Sequence, residues 1–280
     1  MALRRTLILL TSTKSPIPSN PPVLKDPAGI KQTVLEVERK FRRLTVPTLT
    51  GLTTTATATT ATSSSSCRTI MGSNLLPFFQ SVRPLPTRHI HDIYYDTPQR
   101  HLNASGAWVR LRNGKWQAKV KRGGDFLNSR FEELQGEEQI AECVNRILSE
   151  HRQKGHHQRH YPHHDHLKEK RKENFGLVKL AEFVTTRETW VVDGEFTVVR
   201  DTMDFGHEVG EVELQVEVAR DKNGGGKGVE AVMEEMDRRI EEFMKRYSWA
   251  WEEGEAVGKL TAYFEMVKAR KIKMDSEKGR

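Results

Sequence analysis

The chain has 280 residues, which is long enough to bury the core of one large or two small domains. Its net charge of +7 comes from three basic segments, residues 1–33, 151–173 and 268–280, so the remainder is mildly acidic and a nucleic-acid function is disfavoured. The two cysteines, Cys67 and Cys143, exclude a disulfide framework, and no run of ~18 apolar residues predicts a membrane-spanning helix.

Residues 1–33 are interpreted as an N-terminal extension. Their first acidic residue is Asp26, and basic residues and prolines are frequent before it. This composition fits either a disordered extension or a mitochondrial transit peptide. We therefore expect a cytoplasmic protein, or a mitochondrial one if residues 1–33 act as a transit peptide.

The first predicted strand, Leu35–Phe41, alternates apolar with charged residues, and the charged ones are Glu36, Glu38 and Lys40. Residues 49–72, rich in Thr, Ala and Ser, are predicted to be a low-complexity insertion without structure of its own. A short helix is predicted around Leu75–Ser81. The next strand, His89–Tyr95, ends at the turn signal Asp96-Thr97-Pro98.

A β-hairpin is predicted around Asn113-Gly114, a dipeptide that favours a tight turn. One face of this hairpin is polar and mostly cationic, and it carries Trp108, Arg110, Arg112, Gln117, Lys119 and Lys121. A strand over Phe126–Leu134 and an amphipathic helix over Glu137–Glu150 follow. Residues 151–173, which are rich in histidine without a core pattern, are predicted to be a second insertion.

Three further strands are predicted in the C-terminal half: Leu177–Val192 with a break near Thr185-Thr186, Glu195–Asp201, and Val209–Val218. The last of these places Glu211 and Glu213 on one face. An amphipathic helix over 229–247 and a final helix from Lys259 to about Val267 complete a single domain, residues 34–270, before a charged tail at 271–280.

Eight strands, mostly joined as hairpins, predict an antiparallel barrel. If the charged faces pointed outward, the apolar faces would fill the barrel and the amphipathic helices would have nothing to pack against. We therefore expect an α+β fold, with helices packed outside an eight-stranded antiparallel barrel whose lumen is charged. Its predicted lumen residues are Glu36, Glu38, Lys40, Arg110, Arg112, Lys119, Arg187, Glu211 and Glu213.

Such a lumen is stable when ions fill it. Carboxylates two residues apart suit a hard divalent cation, and guanidinium groups suit phosphate oxygens. The pattern therefore predicts a site for a metal-bound polyphosphate.

Several motifs resemble the CYTH, or triphosphate tunnel metalloenzyme, superfamily, and within it the thiamine-triphosphatase family. The first motif is Glu36-Val37-Glu38-Arg39-Lys40, which matches ExExK. The others occur in the family's order from about residue 34 to 267 and include Tyr94-Tyr95-Asp96-Thr97-Pro98, Trp108-Val109-Arg110-Leu111-Arg112, Trp116-Gln117-Ala118-Lys119, Phe183-Val184-Thr185-Thr186-Arg187, Asp201-Thr202-Met203-Asp204-Phe205-Gly206, Val209-Gly210-Glu211-Val212-Glu213 and Lys259-Leu260.

The resemblance implies a Mg²⁺-dependent hydrolase that removes the terminal phosphate of thiamine triphosphate. The implied Mg²⁺ ligands are Glu36, Glu38, Asp201, Glu211 and Glu213. The implied triphosphate ligands are Lys40, Arg110, Arg112, Lys119, Arg187 and Lys259, and Trp108 is implied to contact the thiamine ring. Glu132, Glu133, Arg200 and Glu217 receive no role, and no general base is assigned.

Other functions remain open at this stage. The same tunnel could serve an inorganic triphosphatase, an RNA triphosphatase or an adenylate cyclase, or it could bind its ligand without catalysis. A nucleic-acid binder would use the basic segments instead. We expect a monomer that acts on a small-molecule triphosphate, without a nucleic-acid or membrane partner.

Overall fold

The computed structural model describes residues 31–53, 77–154, 173–220, 226–252 and 254–278. The interpretations of residues 1–30, and most of both predicted insertions, therefore lie outside the described residues. Within the described ranges, none of the helices combines the length and the apolar composition needed to cross a lipid bilayer.

The described residues form eight strands and four α-helices. The strands are β1 (Lys31–Phe41), β2 (Val82–Asp96), β3 (Ala107–Arg112), β4 (Lys115–Gly124), β5 (Asn128–Gln135), β6 (Val178–Val192), β7 (Phe196–Met203) and β8 (Glu208–Arg220). The helices are α1 (His101–Ala104), α2 (Glu137–Lys154), α3 (Gly226–Arg246) and α4 (Lys259–Lys278).

The strands close into a barrel in the order β1-β5-β4-β3-β2-β6-β7-β8, and every neighbouring pair is antiparallel. The first and last strands close it through a register that runs from Lys31 opposite Arg220 to Phe41 opposite Gly210. Gly210 permits this closure, because a Cβ there would lie 2.0 Å from the Phe41 ring. The structure confirms the predicted α+β fold with an eight-stranded antiparallel barrel.

Tight turns join two pairs of neighbouring strands, and the first of them lies where the sequence predicts a hairpin. Asn113-Gly114 joins β3 to β4 with φ values of 47° and 77°, and Asp193-Gly194 joins β6 to β7 with φ values of 52° and 82°. Positive φ at both central residues is the geometry that suits two-residue hairpins.

Two helices pack on the outside of the barrel, as the predicted fold requires. The apolar stripe of α3, which includes Met233, Ile240 and Phe243, covers the outward residues of β1, among them Leu35 and Val37. In a second cluster, α2 supplies Ile140, Val144 and Ile147, which pack with the outward Val109 and Ala118. Burying these stripes removes apolar surface from water and leaves the opposite faces of the strands for the lumen.

The fourth helix lies at the end of the barrel where β2 finishes. Leu260, Tyr263 and Phe264 of α4 pack against a cluster that includes Tyr94 and Phe183. Aromatic contacts support this arrangement, with ring centroids 5.6 Å apart for Tyr94–Phe183 and 5.7 Å apart for Phe183–Tyr263. The helix thus starts beside the lumen and continues as a largely exposed helix to Lys278.

Two predicted elements are wrong. Residues 77–81 of the predicted helix around Leu75–Ser81 are not helical; Phe79 instead bridges to Thr53 and is fully buried, with its ring 4.4 Å from that of Tyr247. The predicted break near Thr185-Thr186 is absent, because β6 pairs continuously there with β7 on one side and β2 on the other.

Several boundaries also differ from the prediction. Strand β1 begins at Lys31, inside the predicted extension, and α4 continues into the predicted charged tail as far as Lys278. Leu49, placed at the start of the first insertion, is fully buried in the core beneath α3. Strand β5 starts at Asn128 rather than Phe126, because a turn occupies 125–127.

Candidate active site in the barrel lumen

Alternation along the strands brings charged residues from all eight strands into one lumen or its wall. This lumen opens into a cavity of about 740 Å³. The cavity is lined by most of the predicted site residues, namely Glu36, Glu38, Lys40, Trp108, Arg110, Arg112, Lys119, Arg187, Glu211, Glu213 and Lys259. Asp201, the remaining predicted site residue, lies at its wall in contact with Arg187 and Lys259.

Three carboxylates form what we call the acidic trio: Glu36, Glu38 and Glu213. Strand pairing places Glu38 directly opposite Glu213, and each of the three offers an oxygen within 4.8 Å of the others. Their exposed fractions are between 1% and 5%. Carboxylate oxygens are the donors that Mg²⁺ and Ca²⁺ prefer, so the donor set of the acidic trio fits a hard divalent cation.

The carboxyl group of Glu213 holds its proton more tightly than an ordinary glutamate does. Burial, together with the nearby carboxylates of Glu36 and Glu211, raises its pKa to about 8, although Arg187 opposes this. A cation between the three carboxylates would replace that proton and satisfy the charges.

A second group of carboxylates is what we call the cation-held pair, Asp201 and Glu211. Arg187 donates from Nε and Nη2 to the two oxygens of Asp201 at 2.8 and 2.6 Å, and Lys259 contacts Asp201 and also Glu211, the latter at 3.6 Å. Burial would raise the pKa of Glu211, but Lys259, Lys40 and Arg187 outweigh it and hold that pKa below its ordinary value.

Lys119 joins the cationic wall to the acidic trio. Its Nζ contacts Glu36 and lies 3.1 Å from Glu38 and 3.8 Å from Glu133. Lys40 contacts Glu38 from β1 itself. Burial favours the neutral amine, yet the pKa of both lysines is raised, because Glu36 and Glu38 beside Lys119, and Glu38 and Glu211 beside Lys40, stabilise the ammonium form.

The two arginines of β3 are held by residues to which the sequence assigned no role. Arg112 donates from Nε and Nη2 to the buried Asp92 at 2.8 and 2.7 Å, and Arg110 donates to Gln117 Oε1 at 3.2 and 3.1 Å. Asp92 is fully buried, and Arg112 and Arg110 keep its pKa below the ordinary value despite that burial. The sequence contains a signal for the role of Asp92, because this acid stands alone between Ile90 and Tyr94 on the inward face of β2.

The four residues that received no role from the sequence lie in different environments. Glu133 lines the lumen, whereas Glu132 faces outward and binds Arg122 and Thr33 Oγ1, the latter at 3.1 Å. Arg200 faces outward and donates to Glu188 at 2.7 Å, and Glu217 is exposed. Gln215, also given no role, donates to Glu36 at 3.0 Å.

Aromatic residues line the cavity near the end that α4 covers. Trp108 packs edge-on against Phe131, with ring centroids 5.6 Å apart, and both rings line the cavity together with Tyr94, Phe126 and Phe264. The lumen therefore offers flat apolar surfaces beside its cationic wall.

Taken with the fold, this site defines a closed antiparallel barrel whose interior holds carboxylates against lysines and arginines. The model of the CYTH domain matches residues 84–248, which is more than half of the chain, and the chain belongs to the CYTH domain family. No curated protein matches the chain by sequence.

Several solved structures are similar to this chain. The PH1819 protein of Pyrococcus horikoshii OT3 is 16% identical, with 82% of this chain and 99% of that chain covered and a TM-score of 0.41. A conserved hypothetical protein of Pyrococcus furiosus is 16% identical (80% and 98% covered, TM-score 0.36). HpAC1 of Hippeastrum, described as having a dominant triphosphatase activity, is 17% identical (80% and 98% covered, TM-score 0.36).

Proposed function

We propose that this protein is a Mg²⁺-dependent hydrolase that converts thiamine triphosphate into thiamine diphosphate and phosphate. The observation that carries the proposal is the lumen itself, in which the buried acidic trio lies against a wall of lysines and arginines. A metal-bound triphosphate supplies the charges that both groups need, because its cation suits the carboxylates and its phosphates suit the cationic wall.

In this proposal Glu36, Glu38 and Glu213 hold Mg²⁺, whereas Asp201 and Glu211, which the resemblance also implies as Mg²⁺ ligands, are assigned a different role because cations already contact them. The cation-held pair, Asp201 and Glu211, extends the acidic wall and positions Arg187 and Lys259. The triphosphate contacts a set of cationic side chains at neighbouring positions of the lumen, which are Lys40, Arg110, Arg112, Lys119, Arg187 and Lys259.

The chain's residues act mainly through positioning and charge. Mg²⁺ supplies neutralisation of the phosphate oxygens and a means of orienting water. Arg110 and Arg112, pre-oriented by Gln117 and Asp92, are placed to stabilise negative charge that develops on the transferred phosphoryl group. Arg187 of β6, with its guanidinium fixed by Asp201, serves the same purpose.

Trp108 supports thiamine triphosphate as the substrate. The thiazolium ring of thiamine is cationic, and the face of an indole attracts a cation. Trp108 lines the same cavity as the lysines and arginines, so a triphosphate held by them could place its organic group against this ring.

The test is phosphate release by the full chain from thiamine triphosphate, inorganic triphosphate and ATP, with Mg²⁺ and with EDTA. We expect thiamine triphosphate to give the highest kcat/KM, and EDTA to abolish turnover. The variant Trp108→Ala should lower kcat/KM for thiamine triphosphate by about tenfold and leave inorganic triphosphate almost unaffected. No phosphate release from any triphosphate would refute hydrolysis, and a thermal shift with triphosphate would then support a binding protein.

A second candidate is an inorganic triphosphatase. The observation that favours it is that the acidic trio and the cationic wall would complete a triphosphate site without any contribution from Trp108. The same substrate panel separates the two candidates, since an inorganic triphosphatase would prefer the substrate without an organic group.

A further inference from the structure

Phe126 is a large apolar residue that the fold leaves in contact with water. Its exposed fraction is 50%, and it lies on the wall of the cavity that the barrel lumen opens into. An exposed aromatic ring is a site at which burial by a ligand would be favourable.

The turn that presents Phe126 is tightly hydrogen-bonded. Asp125 Oδ1 accepts the backbone N–H groups of Leu127 and Asn128 at 2.8 and 2.7 Å, and the Asp125 N–H donates to the Asn128 carbonyl at 2.8 Å. Ser129 Oγ and Lys121 Nζ both donate to the Asp125 carbonyl at 3.0 Å. The ring is therefore held in a defined place, so little order has to be gained when a ligand packs on it.

The position of the ring relates it to the triphosphate site. Lys40 Nζ lies 5.8 Å from the centroid of Phe126, and Lys40 itself contacts Glu38 of the acidic trio. The ring also lies against Gly258, immediately before Lys259; a Cβ at Gly258 would come within 3.2 Å of Phe126 Cζ and 4.0 Å of Lys40 Cε. The ring thus lies beside Lys40 and next to the segment that carries Lys259, and the proposed function assigns both lysines to the phosphates.

We infer that Phe126 is a specificity-determining residue that forms, with Trp108, an aromatic subsite for the heterocyclic group of an organic triphosphate. This inference rests on the proposed function, since it concerns the part of the substrate that extends beyond the phosphates. A flat, cationic heterocycle gains from packing on such rings, whereas inorganic triphosphate has no group that would reach them.

The test compares KM for thiamine triphosphate with KM for inorganic triphosphate, at saturating Mg²⁺, in the full-length wild type and in two variants. Phe126→Ala should raise KM for thiamine triphosphate about tenfold and change KM for inorganic triphosphate less than about twofold. Phe126→Tyr, which keeps the flat ring, should stay within about threefold of wild type for both substrates. The matched control is Val184→Ala, which shortens a side chain that is 37% exposed and removed from the cavity, and it should leave both values unchanged.

The outcomes separate this inference from the proposed function. Equal changes for both substrates in Phe126→Ala, or no change for either, would overturn the inference and leave hydrolysis of thiamine triphosphate intact. If the wild type prefers ATP, the assignment of thiamine triphosphate as the substrate fails. The ratio of KM for ATP to KM for inorganic triphosphate, compared between Phe126→Ala and the wild type, then decides the inference in the same way. A wild type that accepts no organic triphosphate overturns both.

Discussion

The acidic trio and the cation-held pair lie side by side in one lumen but in opposite electrostatic situations. Glu211 and Glu213 are two residues apart on the same face of β8. Burial raises the pKa of Glu213, whereas Lys259, Lys40 and Arg187 hold the pKa of Glu211 below its ordinary value. The difference comes from neighbours, because Glu213 faces the carboxylates Glu36 and Glu38 and Glu211 faces cations.

This comparison separates structural carboxylates from those that need a ligand. Asp201 is already satisfied by Arg187 and Lys259, so removing it should damage the fold. The acidic trio brings three buried carboxyl groups within 4.8 Å of one another, so removing one member should damage metal binding and spare the fold.

The largest effect is expected when the cation-held pair is broken. Asp201→Ala leaves the buried Arg187 and Lys259 without their nearest carboxylate, and we expect the free energy of unfolding to fall by about 3 to 5 kcal/mol. Urea unfolding at pH 7 measures it. The exposed ion pair of Glu235 with Arg238 supplies the control, because Glu235→Ala should cause no measurable loss. Equal stability of Asp201→Ala and wild type would contradict the structural role of Asp201.

A substitution in the acidic trio should have the opposite effect: it should lower activity and leave stability almost unchanged. Glu213→Gln keeps the shape of the side chain and removes an oxygen that the proposed function assigns to Mg²⁺, so we expect phosphate release to fall by about two orders of magnitude or more. In EDTA its unfolding free energy should stay within about 1 kcal/mol of wild type, because Glu213 is mainly protonated at pH 7. Phosphate-release kinetics and urea unfolding test the two halves of the prediction, and near-wild-type turnover would refute the role of Glu213.

A smaller, graded effect is expected from pH. Below pH 8 Glu213 keeps a proton that Mg²⁺ must displace, so Mg²⁺ affinity should rise with pH by up to about tenfold per unit and level off above pH 8. Calorimetric titration at pH 6, 7 and 8, in buffers of different ionisation enthalpy, measures both the affinity and the released proton. Glu213→Gln should show a flatter dependence. A Mg²⁺ affinity that is constant from pH 6 to 8 would show that Mg²⁺ displaces no proton from Glu213.

The smallest effect is expected at Glu217, the next acid along the same face of β8. It is exposed and lies beyond Gln215, outside the acidic trio. Glu217→Gln should therefore change phosphate release less than about twofold and stability by less than about 0.5 kcal/mol. A loss as large as that of Glu213→Gln would show that the metal site extends further along the strand.

The barrel and most lumen residues could be predicted because strand alternation fixes which side chains share a face. Glu36 with Glu38, Arg110 with Arg112, and Glu211 with Glu213 each follow from this period of two. The amphipathic stripe of α3 then decides which face is outside, since Met233 and Ile240 need an apolar surface to cover.

The remaining residues depend on register and on local turns, which the sequence leaves open. Asp92 meets Arg112 because of the pairing of β2 with β3, and that pairing joins residues 20 positions apart. Phe126 looked like the start of a strand, but the carboxylate of Asp125 captures the following backbone N–H groups and forms a turn instead. Phe79 was predicted helical, yet tertiary packing against Tyr247 outweighs local propensity.

The contacts of Lys119 with Glu36 and Glu38 have a consequence for how ligands enter. With the lumen's acids and bases paired to one another, a metal ion arriving alone would release a buried ammonium group, and a polyphosphate arriving alone would release a buried carboxylate. Each ligand supplies the counter-charge that the other displaces, so the two should bind with positive heterotropic coupling. The tunnel would thereby recognise the complex of metal and polyphosphate in preference to either component.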